Sequence, residues 1–197
     1  MADANPRSTP LGSQLKLSKA QSPKMEKDRE QMAKVPYASA VGSLMYAMVC
    51  TRPYIAQAVG VISQFMSNPG KDHWEGVKWL LCYLNGTSDV CLVYRKKAAV
   101  LEGFADANLG RCEDSGKSTT GFVFTIEESA VHLAKNPVFH SRMKHIQMRY
   151  HFIRELITDG TVNLQKILVT KNPADMFTKV VTTDKLRLCM ALTGLPV

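Results

Sequence analysis

The feature that most constrains this chain is a change in the spacing of its apolar residues at Gly86. Before it, Val41, Leu44, Met45, Met48 and Val49 recur at the intervals that place side chains on one stripe of a helix. Ile55, Val59, Ile62 and Met66 repeat the pattern, and so do Trp74, Val77, Leu81 and Leu84. The breaks between stripes have chemical causes. Arg52-Pro53 ends the first, because a proline pushes the residue before it out of helical backbone, and Asn68-Pro69-Gly70 ends the second. Pro36 suits the first turn of the first helix, Asp72 is a fitting N-cap for the third, and Gly86 stands where a C-terminal stop belongs. Three short amphipathic helices can bury their stripes on one another. Residues 35–98 are therefore expected as a helical segment whose Met, Trp and Tyr side chains serve its core.

After Gly86 the apolar residues come in short β-prone runs: Val90 to Tyr94, Leu101 to Ala105 and Thr119 to Ile126. The polar, turn-rich stretch Asp106 to Ser118 predicts that the second and third runs pair antiparallel across a long loop. Ile146, Tyr150, Ile153 and Ile157 share one face of a helix expected over His145 to Thr158. A strand over Leu164 to Val169 and a helix from about Asp184 to Leu192 complete the pattern. The fold class that follows is α+β, a small helical segment followed by an α/β unit over residues 99–197.

Residues 1–34 read differently. They are rich in Pro, Ser, Lys and Gln, with no periodic apolar pattern until Met32. An extended polar tail or linker is expected there, because such a segment buries too little apolar surface to offset its ordering. The segment also lacks the apolar stretch of a signal peptide, and no run in the chain is long enough to cross a bilayer. The expectation is an intracellular protein, of cytoplasm or nucleus, with no membrane partner. The five cysteines, Cys50, Cys82, Cys91, Cys112 and Cys189, stand singly, so free thiols are expected rather than a disulfide framework or a zinc module.

Lys and Arg number 25 against 17 Asp and Glu, a net charge of +8 that favours a polyanionic partner such as RNA, DNA or an RNA–DNA hybrid. The excess is concentrated between Ser129 and Arg154, which contains no acid and carries Lys135, Arg142, Lys144, Arg149 and Arg154. With Tyr150 and Phe152 interleaved, these residues could contact phosphates and stack a base. The same residues also fit a solvated face above an ordinary apolar stripe. His140, His145 and His151 lack the spacing that puts two metal ligands on one helix face, which argues against zinc. Serine-nucleophile chemistry lacks its Gly-x-Ser-x-Gly turn.

Several strings carry a resemblance. Val35-Pro-Tyr-Ala-Ser-Ala-Val-Gly-Ser-Leu-Met-Tyr-Ala-Met, Thr51-Arg-Pro-Tyr-Ile-Ala, Phe104-Ala-Asp-Ala, Lys117-Ser-Thr-Thr-Gly-Phe-Val-Phe, Lys135-Asn-Pro-Val-Phe-His-Ser-Arg and Ala174-Asp-Met-Phe-Thr-Lys resemble the Pol polyprotein of plant copia-type LTR retrotransposons, in the family's order and over nearly the whole chain. The resemblance implies that residues 35–98 correspond to the region after the reverse transcriptase palm. It implies a ribonuclease H-like fold for residues 99–197. The paired aspartates of the polymerase hairpin are not in this sequence, so no polymerisation is expected of it. Tyr54 stands where the family usually has Asp at a helix start, a loss of about 0.3–1 kcal/mol by helix-dipole reasoning.

Ribonuclease H enzymes of this family cleave the RNA strand of a hybrid with two magnesium ions, which several converging carboxylates must hold. The resemblance matches the first of four acidic positions to Asp106 and the fourth to Asp175. The strings that carry the second and third are missing: Val131 runs directly into His132-Leu-Ala-Lys-Asn-Pro, which in the family lies beyond both. An internal deletion explains this join, and Glu127 and Glu128 have no motif that places them in the site. Asp106 and Asp175 are then relict ligand positions, open also to plain structural roles as a turn cap and a helix start. The expected product is an inactive fragment of a Pol polyprotein that needs no cofactor. A non-catalytic nucleic-acid-binding module and a domesticated or effector-like interaction protein stand as alternatives.

Overall fold

Each of the three apolar stripes forms a helix in the computed structural model, which describes residues 5–90, 101–108, 114, 116, 118–126, 129–131 and 154–195. A short helix, α1 (Glu26–Ala33), precedes them. Helix α2 (Tyr37–Cys50) starts directly after Pro36 and buries Tyr37, Val41 and Leu44. The Tyr37 hydroxyl donates to the Ile62 carbonyl at 2.7 Å, which ties α2 to α3 (Ala56–Ser63). Between them Arg52 takes non-helical backbone (φ −128°, ψ 55°), as a residue before proline must, and Pro53–Ile55 form a 3-10 turn. Helix α4 (Lys71–Asn85) buries His73, Gly76, Val77, Leu80 and Tyr83, so its inner face is rotated from the expected stripe, and Trp74, Leu81 and Leu84 are only partly buried. Its N-cap is Gly70, and Asp72 sits inside the first turn.

Tyr54, where a helix-starting carboxylate was expected to be missed, is a core residue instead. It is 1% exposed, packs edge-on against Tyr83 and accepts a 2.7 Å hydrogen bond from Arg52 Nη1. The same guanidinium donates to the Thr87 and Ser88 carbonyls just beyond α4. A backbone terminus and a buried phenol are thus satisfied by one side chain.

The amino-terminal segment is not an extended tail. Leu11 is 3% exposed within the core, Trp79 Nε1 donates to the Thr9 carbonyl at 2.9 Å, and the Arg7 guanidinium lies 4.1 Å from the Trp79 ring centre. Its low apolar content misled because a few side chains, spaced too irregularly to form a stripe, are enough to pin a strap over an existing helical surface. The strap's main anchor is His73. The Gly70 N–H donates to Nδ1 at 2.7 Å, which leaves the proton on Nε2 to reach the Ser18 carbonyl at 3.0 Å. Phe65 stacks on the ring at 4.0 Å.

Strands β1 (Leu101–Asn108), β2 (Thr119–Ile126) and β3 (Ser129–Val131) form an antiparallel sheet in the order β1-β2-β3. The expected pairing of the first two is present, with Leu101 opposite Ile126 and Asn108 opposite Thr119. β1 runs further than expected, so Asp106 lies within the strand, opposite Gly121, rather than capping a turn. Helix α5 (Asp175–Thr178) packs on one face, and α6 (Thr183–Leu192) packs against α5. Val123, Met176, Phe177 and Leu186 join Val59, Ile62 and Leu80 in one core, so helices and sheet share a single apolar interior and the α+β class holds. The other face leaves Leu101 and Phe124 exposed at 66% and 39%.

The strand expected over Leu164 to Val169 is absent. Residues 161–168 form no ladder, Leu164 and Leu168 are exposed, and Val169–Lys171 make a 3-10 turn. Its β-prone residues have no strand partner among the described residues, and a strand without a ladder has nothing to hold it. Of the helix expected over His145 to Thr158, residues 154–158 are described and are helical; of the run Val90 to Tyr94 only Val90 is described. Cys50, Cys82 and Cys189 are free thiols, while Cys91 and Cys112 lie outside the described residues. No helix among the described residues is long and apolar enough to cross a membrane.

Two predictions follow from this packing. Burial holds the His73 pKa below its usual value, against the opposing pull of the Ser18 carbonyl and the Asp72 and Asp114 carboxylates. The unfolded chain then binds the proton first, so the stability His73 contributes is complete above about pH 6.5 and declines as the pH falls through that value. Urea midpoints at two pH values on either side should show this decline, and His73→Asn, which keeps an acceptor for Gly70, should flatten it. At Gly121 an added Cβ would meet Phe177 Cβ at 2.7 Å and the Ala174 carbonyl oxygen at 3.2 Å. Gly121→Ala should therefore destabilise by about 1–3 kcal/mol in chemical denaturation, and an unchanged midpoint would contradict the close approach.

Candidate functional site

Asp106 and Asp175 come together although they are far apart in sequence, and the turn before α5 explains how. Asn172 Oδ1 accepts from the Ala174 N–H at 3.1 Å, while its Nδ2 donates to the Ala105 carbonyl of β1 at 2.9 Å. That bridge fixes the start of α5 beside the strand. Gly121, with no side chain, lets α5 approach β2. Thr178 then donates to Asp106 Oδ2 at 2.5 Å, and Asn108 Nδ2 donates to the Thr178 carbonyl at 3.2 Å.

The charges around the pair are balanced within the chain. Lys179 Nζ stands 2.8 Å from Asp175 Oδ1 and 3.8 Å from Asp106 Oδ2. Lys185 Nζ is 3.4 Å from Asp175 Oδ2 and also donates to the Val169 and Thr170 carbonyls at 3.0 and 2.6 Å. The Asp175 side chain is 3% exposed, and its Oδ1 meets Lys179 as an ion pair without hydrogen-bond alignment. Asp106 is more open, at 19%.

A two-ion magnesium site needs several carboxylates converging with their lone pairs free and room for coordinated water. Here two carboxylates share two ammonium groups and a hydroxyl donor. No group of three His, Cys, Asp or Glu residues that could hold a metal occurs among the described residues. Among the described residues the donor set does not fit the two-ion centre.

Sequence reasoning named the two acids and missed the lysines. The signal was present, since Lys179 ends the same Ala174–Lys179 string and stands four residues after Asp175, the spacing at which a carboxylate and an ammonium meet across a helical turn. Lys185 had no such signal, because its partners are backbone carbonyls set by the tertiary fold. Of the five proposed phosphate contacts, Lys135, Arg142, Lys144 and Arg149 lie outside the described residues, as do Glu127, Glu128, His140, His145 and His151; Arg154 is helical and exposed. A concavity of about 340 Å³ lies between α2, α3, β2 and α5 and is lined mainly by apolar side chains, Met45, Met48, Val59 and Phe177 among them.

A retrovirus-related Pol polyprotein from transposon TNT 1-94 of Nicotiana tabacum is 41% identical over 99% of this chain, a match that covers 19% of that protein. The Pol polyprotein from transposon RE2 of Arabidopsis thaliana is 27% identical over 91% of this chain and 16% of its own length. The secreted RxLR effector protein 161 of Plasmopara viticola is 45% identical over 51% of this chain and 71% of its own length. No protein-family model and no solved structure matches the chain. The chain is an α+β body that transposon Pol sequences match nearly end to end. The chain belongs to the copia-type retrotransposon Pol polyprotein family, and spans 19% of the tobacco relative. The tobacco alignment runs over 251 positions against 197 residues here, so at least 54 positions of that relative (251 less 197) have no counterpart in this chain.

Proposed function

We propose that this chain is a non-catalytic derivative of the polymerase and ribonuclease H region of a copia-type Pol polyprotein. The observation that carries the reading is the gap of at least 54 positions in the tobacco alignment, enough to remove the strings that would carry the second and third acids. Asp106 and Asp175 remain close to one another, with Lys179, Lys185 and Thr178 as their partners. Hybrid cleavage depends on two ions stabilising the attacking and leaving oxygens, and two of four acidic positions do not complete the cage for that pair. No cofactor is part of this function.

The effector-like alternative has one observation in its favour, the 45% identity to the RxLR effector over 51% of this chain. The Pol alignments reach 99% and 91% of it and so account for residues the effector match leaves out. The test is hydrolysis of a labelled RNA–DNA hybrid with magnesium and with manganese. The expected result is no cleavage above that of Asp106→Asn, and cleavage that disappears in Asp106→Asn would overturn the reading.

A further inference from the structure

We propose that residues 164–169 of one copy of the chain pair with the free edge of β1 in a second copy, with Lys166 opposite Glu102. The run is β-prone in sequence yet forms no ladder in the fold. No backbone N–H from Asn163 to Thr170 donates to another backbone group among the described residues, and Leu164, Leu168 and Val169 are exposed. An extended apolar segment with unmade backbone bonds is what a free sheet edge recruits. β1 supplies such an edge, because in the order β1-β2-β3 it has a strand neighbour on one side only. Asn172 shows which of its backbone groups look outward. Nδ2 reaches the Ala105 carbonyl at 2.9 Å, so by the alternation of a strand the N–H and C=O of Leu101 and Gly103 face the same edge. Asn172 closes the edge at Ala105 and leaves residues 101–104 open, with Leu101, Glu102 and Gly103 exposed.

Charge selects the occupant. Residues 161–171 carry Lys166 and Lys171 and no acid, while β1 carries Glu102 and Asp106 and no base. Asp106 is already paired with Lys179, whereas Glu102 has no ion-pair partner among the described residues. β1 against β1 would bring only acids together, and run against run only lysines, so the run of one copy against the edge of another is the favoured combination. With Lys166 opposite Glu102, a leucine falls opposite the half-buried Phe104: Leu164 if the strands are antiparallel, Leu168 if they are parallel. Within one copy the run is held off its own edge, because Lys185 of α6 binds the Val169 and Thr170 carbonyls and the 3-10 turn Val169–Lys171 separates the run from Asn172. Each copy has one run and one edge, so the exchange can be mutual about a two-fold axis.

Association of copies is independent of hybrid cleavage, so either can fail while the other stands. Sedimentation of the full chain over a range of concentrations carries the test, in reducing buffer so that the exposed Cys50 does not link copies. The mass should rise above that of one copy as the concentration increases. Gln165→Pro removes an N–H from the exposed run without touching the core, and should weaken association about tenfold or more while the thermal midpoint stays unchanged. Glu102→Lys and Lys166→Glu should each weaken association about twofold to fivefold, and the two together should restore it. A chain that remains a single copy at every concentration overturns the proposal. Association that survives Gln165→Pro belongs to another surface, such as the apolar concavity beside α2 and α3, and overturns it too. Should the proline variant not fold, the charge reversals decide: a double reversal that associates no better than the single ones overturns the pairing, and its recovery supports it.

Discussion

A carboxylate withdrawn from water has to be paired, and the arrangement of the last third of the molecule follows from where Asp175 sits. Its side chain is 3% exposed, and breaking a buried pair of this kind costs about 3–5 kcal/mol. Lys179 and Lys185 must therefore converge on it, and each brings a different part of the chain. Lys185 stands on α6 and also holds the carbonyls of the 3-10 turn before α5, so α6 and that turn are fixed together. Lys179 carries the pairing across to Asp106 and hence to β1. Phe177 and Met176, between these charged contacts, face inward and deliver the apolar area that joins sheet to helices. The ion pairs set position and the apolar core supplies most of the driving force, since a buried ion pair roughly breaks even against its own desolvation.

The sheet is consequently asymmetric. One face packs Val123 and Thr125 against the rest of the molecule, while the other shows Leu101 and Phe124, with the Phe124 ring lying over Gly103 of the neighbouring strand. A two-layer domain would cover such a face. β1 and β3 form the edges of the sheet, and α5 packs on β1 and β2.

Much of the helical segment is legible from sequence because its cues are local. Pro36 and Pro53 fix where α2 starts and where the chain leaves it, and Val41, Leu44, Val59, Ile62 and Val77 are buried as their spacing requires. Where reading failed, the deciding contacts were not local. The strap over residues 5–24 is held by Trp79 and His73, residues more than fifty positions away from Thr9 and Ser18, and no composition rule reveals that. Only glycine fits at the Gly70 cap, because an added Cβ there would meet the Gln21 carbonyl at 2.0 Å, a contact that exists only once the strap is in place. The two acids were legible through a motif, and their lysines only partly, because Lys179 has the right spacing while Lys185 is aligned by the fold.

The contacts around α5 are drawn from one short stretch of sequence and one strand. Converging carboxylates repel one another, and Lys179 and Lys185 offset that repulsion from within the chain, since both lie in or just after the string that carries Asp175. Thr178 and Asn172 are in the same stretch and tie it to Asp106 and to the Ala105 carbonyl of β1. The packing around α5 therefore depends on one segment meeting one strand, and the long stretch of sequence between them supplies none of these contacts.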